Sequence, residues 1–168
     1  MIVRAETPAD RAASVEVERL AFGSWLEAGI VVAVRDEEGS FAFVADADGQ
    51  VVGHVQMSRA WVGESPVVAL GPIGVAPDHQ GHGVGRALIE ASLAEAEHRG
   101  ARAVILLGSP ALYPRFGFEP ASAHDLRNPF AGVTEDGFTI DEDDFMIAPL
   151  GDGELSLHGE VRWHPAFG

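Results

Sequence analysis

The sequence predicts a single mixed α+β domain over residues 1–168, on three observations. Short apolar runs separated by turn residues fill residues 41–75, the pattern of antiparallel hairpins. A helix-period segment then stands between two apolar runs, which is the order strand, helix, strand and implies a crossover with locally parallel pairing. No internal repeat, low-complexity tract or linker divides the 168 residues, a length within the ~100–200 residues usual for one domain.

The elements follow in order. Residues 1–5 suit a short first strand. Thr7 reads as a helix N-cap, with Pro8 at the first helical position and Asp10 three residues after the cap, so a helix is expected through about Phe22. A second, shorter helix covers Trp25–Val34. Phe41-Ala-Phe-Val-Ala45 is β-like, Asp46-Ala-Asp-Gly49 has turn chemistry, and Val51–Val62 is the strand expected to pair back on it. Gly63-Glu-Ser-Pro66 marks another turn before a strand at Val67–Val75. Val84, Leu88 and Ala91 share one helical face, and that helix should end at His98-Arg99-Gly100. Arg102–Leu107 reads as a buried strand. Beyond Phe118 the pattern loosens, with strands expected at Phe145–Leu150 and Leu155–Trp163.

Composition excludes several chemistries. The chain carries 26 acids against 11 basic residues, all arginine, for a formal charge of −15. Without cysteine it has no disulfide framework, thiolate nucleophile or cysteine-based zinc site. Without lysine it has no Schiff base and no Walker A motif. The first residues lack the apolar core of a signal peptide, and no run reaches the ~18 apolar residues of a membrane span. Such acidity disfavours a nucleic-acid partner. A cytoplasmic protein without nucleic acid or membrane partners is the expectation.

Chemistry concentrates in Pro77-Asp-His-Gln-Gly-His-Gly-Val-Gly-Arg-Ala-Leu-Ile89. Gly81, Gly83 and Gly85 alternate where the strongest helix opens, so backbone N–H groups can approach an anion and the helix N-terminus adds positive partial charge. A dinucleotide fingerprint begun at Gly81 would need glycine at Arg86, and one begun at Gly83 would need it at Leu88; both fail. A flexible turn before a helix is the alternative on the glycines alone.

The pattern Gln80-x-x-Gly83-x-Gly85, after a strand and before a helix, resembles the acyl-CoA pyrophosphate loop of the GNAT N-acyltransferase superfamily. Gly108-Ser-Pro-Ala-Leu-Tyr-Pro-Arg-Phe-Gly-Phe118 strengthens the likeness, because the family keeps a tyrosine four residues before the glycine of a Gly-Phe pair. Here that tyrosine is Tyr113. Together with Val161-Arg-Trp-His-Pro-Ala-Phe167, these segments look like the YhbS-like branch. The resemblance covers nearly the whole chain, is strongest over residues 70–118 and is weak before Phe41.

The resemblance implies a mostly antiparallel sheet flanked by helices, with two splayed parallel strands binding acetyl-CoA as cosubstrate and no metal. Backbone groups of Ile73, Gly74 and Val75 would bind the pantetheine arm, and the segment Gln80, Gly81, His82, Gly83, Val84, Gly85, Arg86 would hold the pyrophosphate. Arg86 suits an exposed helix arginine equally well, and Ser109 either contacts the cofactor arm or caps the next helix. Tyr113 would be the general acid for the departing thiolate; the other reading is a half-buried core aromatic. The acceptor would be a small-molecule or peptide amine, acetylated by direct transfer in a ternary complex, since no cysteine exists to form an acyl-enzyme. Homodimerisation is a further family-level expectation. A catalytically silent acyl-CoA-binding sensor or interaction module fits the pyrophosphate motif as well.

The strand Val67–Val75 lacks the glutamate that many relatives use as general base. Glu64 or His54 is left for that role, directly or through water. His79 and His82 lack a third ligand and read as solvated, and His164 carries no assigned role. Asp141-Glu-Asp-Asp144 fails as a calcium loop, since Met146 stands where glycine is required. Charge is also partitioned: residues 70–116 are formally neutral, with four acids and four arginines, and the rest of the chain carries the full −15. That partition spares a polyanionic cofactor and suits a cationic acceptor, although the acidity could equally serve solubility.

Overall fold

The computed structural model describes residues 1–135 and 137–168. Among these residues, eight strands form one mixed sheet. The strands are β1 Ile2–Ala5, β2 Phe41–Ala47, β3 Gln50–Val62, β4 Ser65–Val75, β5 Ala103–Leu107, β6 Glu119–Pro120, β9 Phe145–Pro149 and β10 Val161–Arg162; β7 Thr134–Glu135 and β8 Phe138–Thr139 form a separate two-stranded ribbon. The sheet order is β1-β2-β3-β4-β5-β9-β6, with β10 paired to β3. Three helices flank it: α1 Arg11–Phe22, α2 Leu26–Val34 and α3 Val84–His98. This is the expected α+β architecture, antiparallel except for the pair β4 and β5. Among the described residues no helix is long and apolar enough to cross a membrane.

Contacts divide the chain into two compact units. The first comprises Met1–Arg59, Leu70–Glu95 and His164–Gly168. There β1 pairs antiparallel with β2, and β2 with β3 from Phe41↔Met57 to Ala47↔Gln50, through a bulge beside Ala45. Asp48 and Gly49, both with positive φ, close the hairpin tightly, as a two-residue turn demands. Helix α3 lies so close to β3 that a Cβ on Gly53 would stand 2.8 Å from Val84 Cγ1. Val31, Val44, Val55, Met57 and Leu88 are fully buried here.

The second unit comprises Ala60–Ala69 and Ala96–Trp163. Its parallel ladder has two recorded residue pairs, Val68↔Val104 and Ala69↔Ile105, and β5 pairs antiparallel with β9 over its whole length. The core gathers Val62, Val67, Ile105, Phe145, Ile147 and Leu157.

Two boundaries differ from expectation. Helix α1 starts at Arg11 rather than Pro8: Thr7 does not cap it, because its hydroxyl is turned to the carboxylate of Asp10. That carboxylate accepts the Thr7 N–H (2.8 Å), the Thr7 hydroxyl (2.7 Å) and the Arg4 guanidinium (2.7 Å), contacts led by Arg4 that hold it well below the usual carboxylate range. The strand expected at Leu155–Trp163 shrinks to Val161–Arg162, the two residues that meet the end of β3. Before them the chain is tied differently, by the Gly63 N–H on the Glu160 carbonyl (2.9 Å), while Arg162 donates to the Gly63 carbonyl (2.8 Å).

Candidate active site

In the first unit the glycine segment leaves β4 directly. Ala76 N–H donates to the Val52 carbonyl (2.9 Å), a single helical turn spans Pro77–His79, and the Gln80 side-chain amide donates back to the Val75 carbonyl (3.0 Å). Gln80 therefore anchors the loop to the end of its strand. Gly81 and Gly83 both take positive φ (77° and 83°), with open space where a Cβ would stand. The first intrahelical bond recorded at α3 runs from Ala87 N–H to the Gly83 carbonyl (3.1 Å). The N–H groups of Val84, Gly85 and Arg86 thus lie in the first turn, where a helix supplies no partner of its own. Gly81, His82 and Gly83 are exposed, and Val84 is buried as the anchor of the turn. Arg86 is exposed and paired with Glu90 (2.7 Å), a surface contact of small energetic value. N–H groups of this kind can bind an anion through backbone alone.

The C-terminal half of β4, containing Ile73, Gly74 and Val75, meets α1 from the same unit. Ser14, Val17 and Glu18 form the buried stripe of α1. Glu18 extends from that stripe to Gly74, where a Cβ would sit 2.6 Å from its Oε2 and 3.1 Å from the Ala21 Cβ. Only glycine leaves room for the carboxyl to reach the strand. The Gly74 N–H is close enough to act on the carboxyl, yet Oε2 has no partner in hydrogen-bond geometry. On its other side, Glu18 Oε1 lies 2.7 Å from His54 Nδ1, both side chains being wholly buried. His54 Nε2 lies 3.7 Å from Glu6 Oε1.

Burial is the largest influence on both members of this pair. It pushes Glu18 up to about 9, reinforced by the Glu27 carboxylate and opposed by the Gly74 N–H. It pushes His54 down to about 4, opposed by Glu6 and assisted by Arg35. The two directions agree on one state at neutral pH, a carboxylic acid donating to a neutral imidazole. His54, which the sequence offered as a base, is therefore sealed from solvent and occupied by Glu18. Glu64, the other candidate, is exposed in the β3–β4 turn, at the opposite end of β4 from Gly74.

In the second unit, Tyr113 opens a helical turn, Tyr113–Phe116, just after β5. It is 8% exposed, its ring set against Phe118 (5.7 Å between centroids) and Phe116 (6.5 Å). Burial raises its hydroxyl above the ordinary phenol value, which keeps it protonated. Among the described residues, the hydroxyl makes no hydrogen bond to protein. A Cβ on Gly108 would overlap the tyrosine ring, so the Leu107-Gly108 corner is shaped to admit it. Ser109 accepts the Ala111 N–H (3.3 Å) on its hydroxyl and the Leu112 N–H (3.0 Å) on its carbonyl. Its observed contacts are those of a cap on the turn that carries Tyr113.

Three other sequence features resolve structurally. His164 Nδ1 accepts the Ala166 N–H (3.1 Å) and starts a terminal turn that lies against α2. Asp141 and Asp144 cap each other's backbone, and Glu142 accepts the Asn128 N–H (2.7 Å), so these acids organise their loop. Among the described residues, no three His, Cys, Asp or Glu side chains are grouped to hold a metal. Sequence reasoning missed Glu18, whose one available signal was a carboxyl within the i, i+3, i+4 stripe of α1.

A mixed sheet with one parallel pair, flanked by three helices of which α3 opens on a glycine loop, is the architecture of an acetyltransferase fold. The model of the acetyltransferase (GNAT) family matches residues 7–118, and the chain belongs to that family. It is 35% identical to the uncharacterised N-acetyltransferase YhbS of Escherichia coli K12, over 99% of this chain and 98% of that one. The crystal structure of E. coli YhbS in complex with CoA superposes with a TM-score of 0.83 at 33% identity, covering 99% of this chain and 91% of that one. A GNAT acetyltransferase from Brucella melitensis in complex with acetyl-CoA gives 0.79 at 31% identity, covering 99% and 97%.

Proposed function

We propose that the chain transfers an acetyl group from acetyl-CoA to a primary amine by direct attack within a ternary complex. The observation that carries this is the loop Gly81–Arg86 at the start of α3, whose first-turn N–H groups have no partner within the helix and suit an anion such as a pyrophosphate. The Ile73-Gly74-Val75 backbone would align the pantetheine arm as an added strand. The neutral amine attacks the thioester carbonyl, and a backbone N–H at Gly74 or Val75 takes the charge developing on its oxygen. Tyr113, protonated through its burial, gives its proton to the departing thiolate, and the proton that the attacking nitrogen loses returns through water to the tyrosine oxygen. The acid-rich remainder of the chain, at −15 against a neutral 70–116 segment, supports a cationic acceptor.

The test is thiol release from acetyl-CoA across polyamines, amino acids, aminoglycosides and peptides, with Tyr113→Phe as control. At least one amine should support turnover. The variant should lose about tenfold or more in kcat, a typical contribution of general acid catalysis being 10²–10⁴, with acetyl-CoA affinity nearly unchanged. Equal turnover would remove Tyr113 from the mechanism. Cofactor binding without release on any amine would make the chain a silent acyl-CoA-binding module.

A further inference from the structure

Three large apolar side chains stand exposed where α1 gives way to α2. Phe22 is 47% exposed, Trp25 67% and Leu26 57%. Phe22 follows Glu18 by four residues, so it lies one turn further along the side of α1 that meets β4. That side is covered as far as Ala21, whose Cβ would stand 3.1 Å from a Cβ on Gly74. Phe22 is the next residue along it, and it is left open. Gly23 then ends α1 in the left-handed conformation, and Trp25 follows at once as the cap of α2. The other exposed apolar residues of these helices, Leu20 and Val32, face elsewhere. Leu20 is about 200° around α1 from Glu18, and Val32 about 120° around α2 from Leu26.

The patch is held in place by polar contacts. The Arg19 guanidinium carbon lies 5.5 Å from the Trp25 ring centroid, and Arg19 is itself paired with Glu16 (2.6 Å). An aromatic surface fixed in this way loses little freedom when a ligand covers it. The Ser24 hydroxyl donates to Glu27 (2.6 Å), which ties that carboxylate to the junction between Phe22 and Trp25. Glu27 also acts on Glu18, so its charge stands on the inner side of the patch, toward β4. An apolar wall with a carboxylate at its inner edge thus adjoins the strand that carries Ile73, Gly74 and Val75.

A second copy of the chain does not suit this surface. Fully covered aromatic side chains bury about 150–250 Å² each. Two that are partly covered already, with one leucine, fall short of the ~800 Å² per partner of a stable dimer, and each copy would bring a charge of −15. A polyamine, charged along its length, gains little from an apolar wall.

We propose that the acceptor is a primary amine on an aromatic or branched aliphatic body, seated on Phe22, Trp25 and Leu26. Its ammonium group is drawn to Glu27 on entry and loses its proton to solvent before attack. This rests on the acetyl-CoA reading above and narrows its acceptor.

The test compares phenethylamine and isopentylamine with ethylamine and putrescine, by thiol release from acetyl-CoA and by calorimetric titration of the CoA-loaded full chain. The two apolar amines should exceed the others by at least about tenfold in kcat/KM, the scale on which an apolar site discriminates. Trp25→Ser, a change at an exposed position, should erase most of that ratio, mainly through KM. Tryptophan emission should shift on adding phenethylamine to the wild type and not to the variant. A preference for putrescine, or a ratio that Trp25→Ser leaves intact, overturns the proposal while the acetyl-CoA reading stands. If no amine turns over, calorimetry decides: phenethylamine bound at least about tenfold more tightly by the wild type than by the variant supports the seat, and equal or absent binding overturns it. A wild-type dimer that Trp25→Ser dissociates in sedimentation also overturns it. Failure of the wild type to bind acetyl-CoA removes the underlying reading and the proposal with it.

Discussion

Glu18 and His54 meet at 2.7 Å with neither side chain exposed to solvent. A helix residue and a strand residue 36 positions apart are thereby joined behind the backbone of β4. In so dry a place two charges cost several kcal/mol each to desolvate, whereas a neutral acid and a neutral imidazole satisfy one another without that penalty. The pair is accordingly sensitive to pH at both ends of the range.

That sensitivity should appear in stability. Glu18 is raised from 4.5 to about 9 on folding, so its contribution is complete below about 4.5 and is lost as pH rises toward 9. His54 is lowered from 6.5 to about 4, so its contribution is present above 6.5 and is lost as pH falls through 4. The two slopes oppose one another between about 4.5 and 6.5. From pH 6.5 to 9 Glu18 acts alone, and stability should fall by up to about 1.4 kcal/mol per pH unit. Urea unfolding midpoints across pH 6–10 measure this, and Glu18→Gln should remove the slope.

Gly74→Ala should destabilise the fold by about 1–3 kcal/mol, the usual cost of overpacking. The new methyl would stand 2.6 Å from Glu18 Oε2 and 3.1 Å from the Ala21 Cβ, and Glu18 cannot retreat while bonded to His54. Combining it with Glu18→Ala should recover part of the loss, because contacting residues are not additive. Denaturant unfolding of the four proteins gives the coupling energy; strict additivity would count against the contact.

Gly108→Ala should displace Tyr113, whose ring occupies the space a Cβ there would need. The expected result is a fall in kcat of about tenfold or more, of the same kind as Tyr113→Phe, with calorimetric affinity for CoA changed little. An unaltered kcat would show that the ring relaxes freely in its pocket.

Much of the fold was open to sequence reasoning because it is set by local pattern. The β2–β3 hairpin follows from alternation around Asp48-Gly49, and α3 follows from its apolar face and its glycine opening. The same holds for the loop before α3, whose backbone N–H donors are brought together by spacing alone. Reasoning failed where a distant partner intervened. Asp10 is claimed by Arg4 as well as Thr7, which moves the start of α1. His54 was visible as an isolated titratable strand residue, but its role is defined by Glu18 from another element. Glu64 precedes β4 and is exposed, at the end of that strand away from Gly74.

By itself, the sequence determined the class of fold, the glycine-rich opening of α3 at Gly81–Arg86, and the absence of any cysteine or lysine side chain. These depend on composition and on neighbours a few residues apart, which covalent geometry holds together whatever the rest of the chain does. Only the tertiary structure decided that Gly74 leaves room for Glu18, that Glu18 holds His54, and that Gly108 leaves room for Tyr113. Each of these is a match of shape and charge between segments far apart in the chain, and burial, which arises only when those segments pack, is what fixes their protonation.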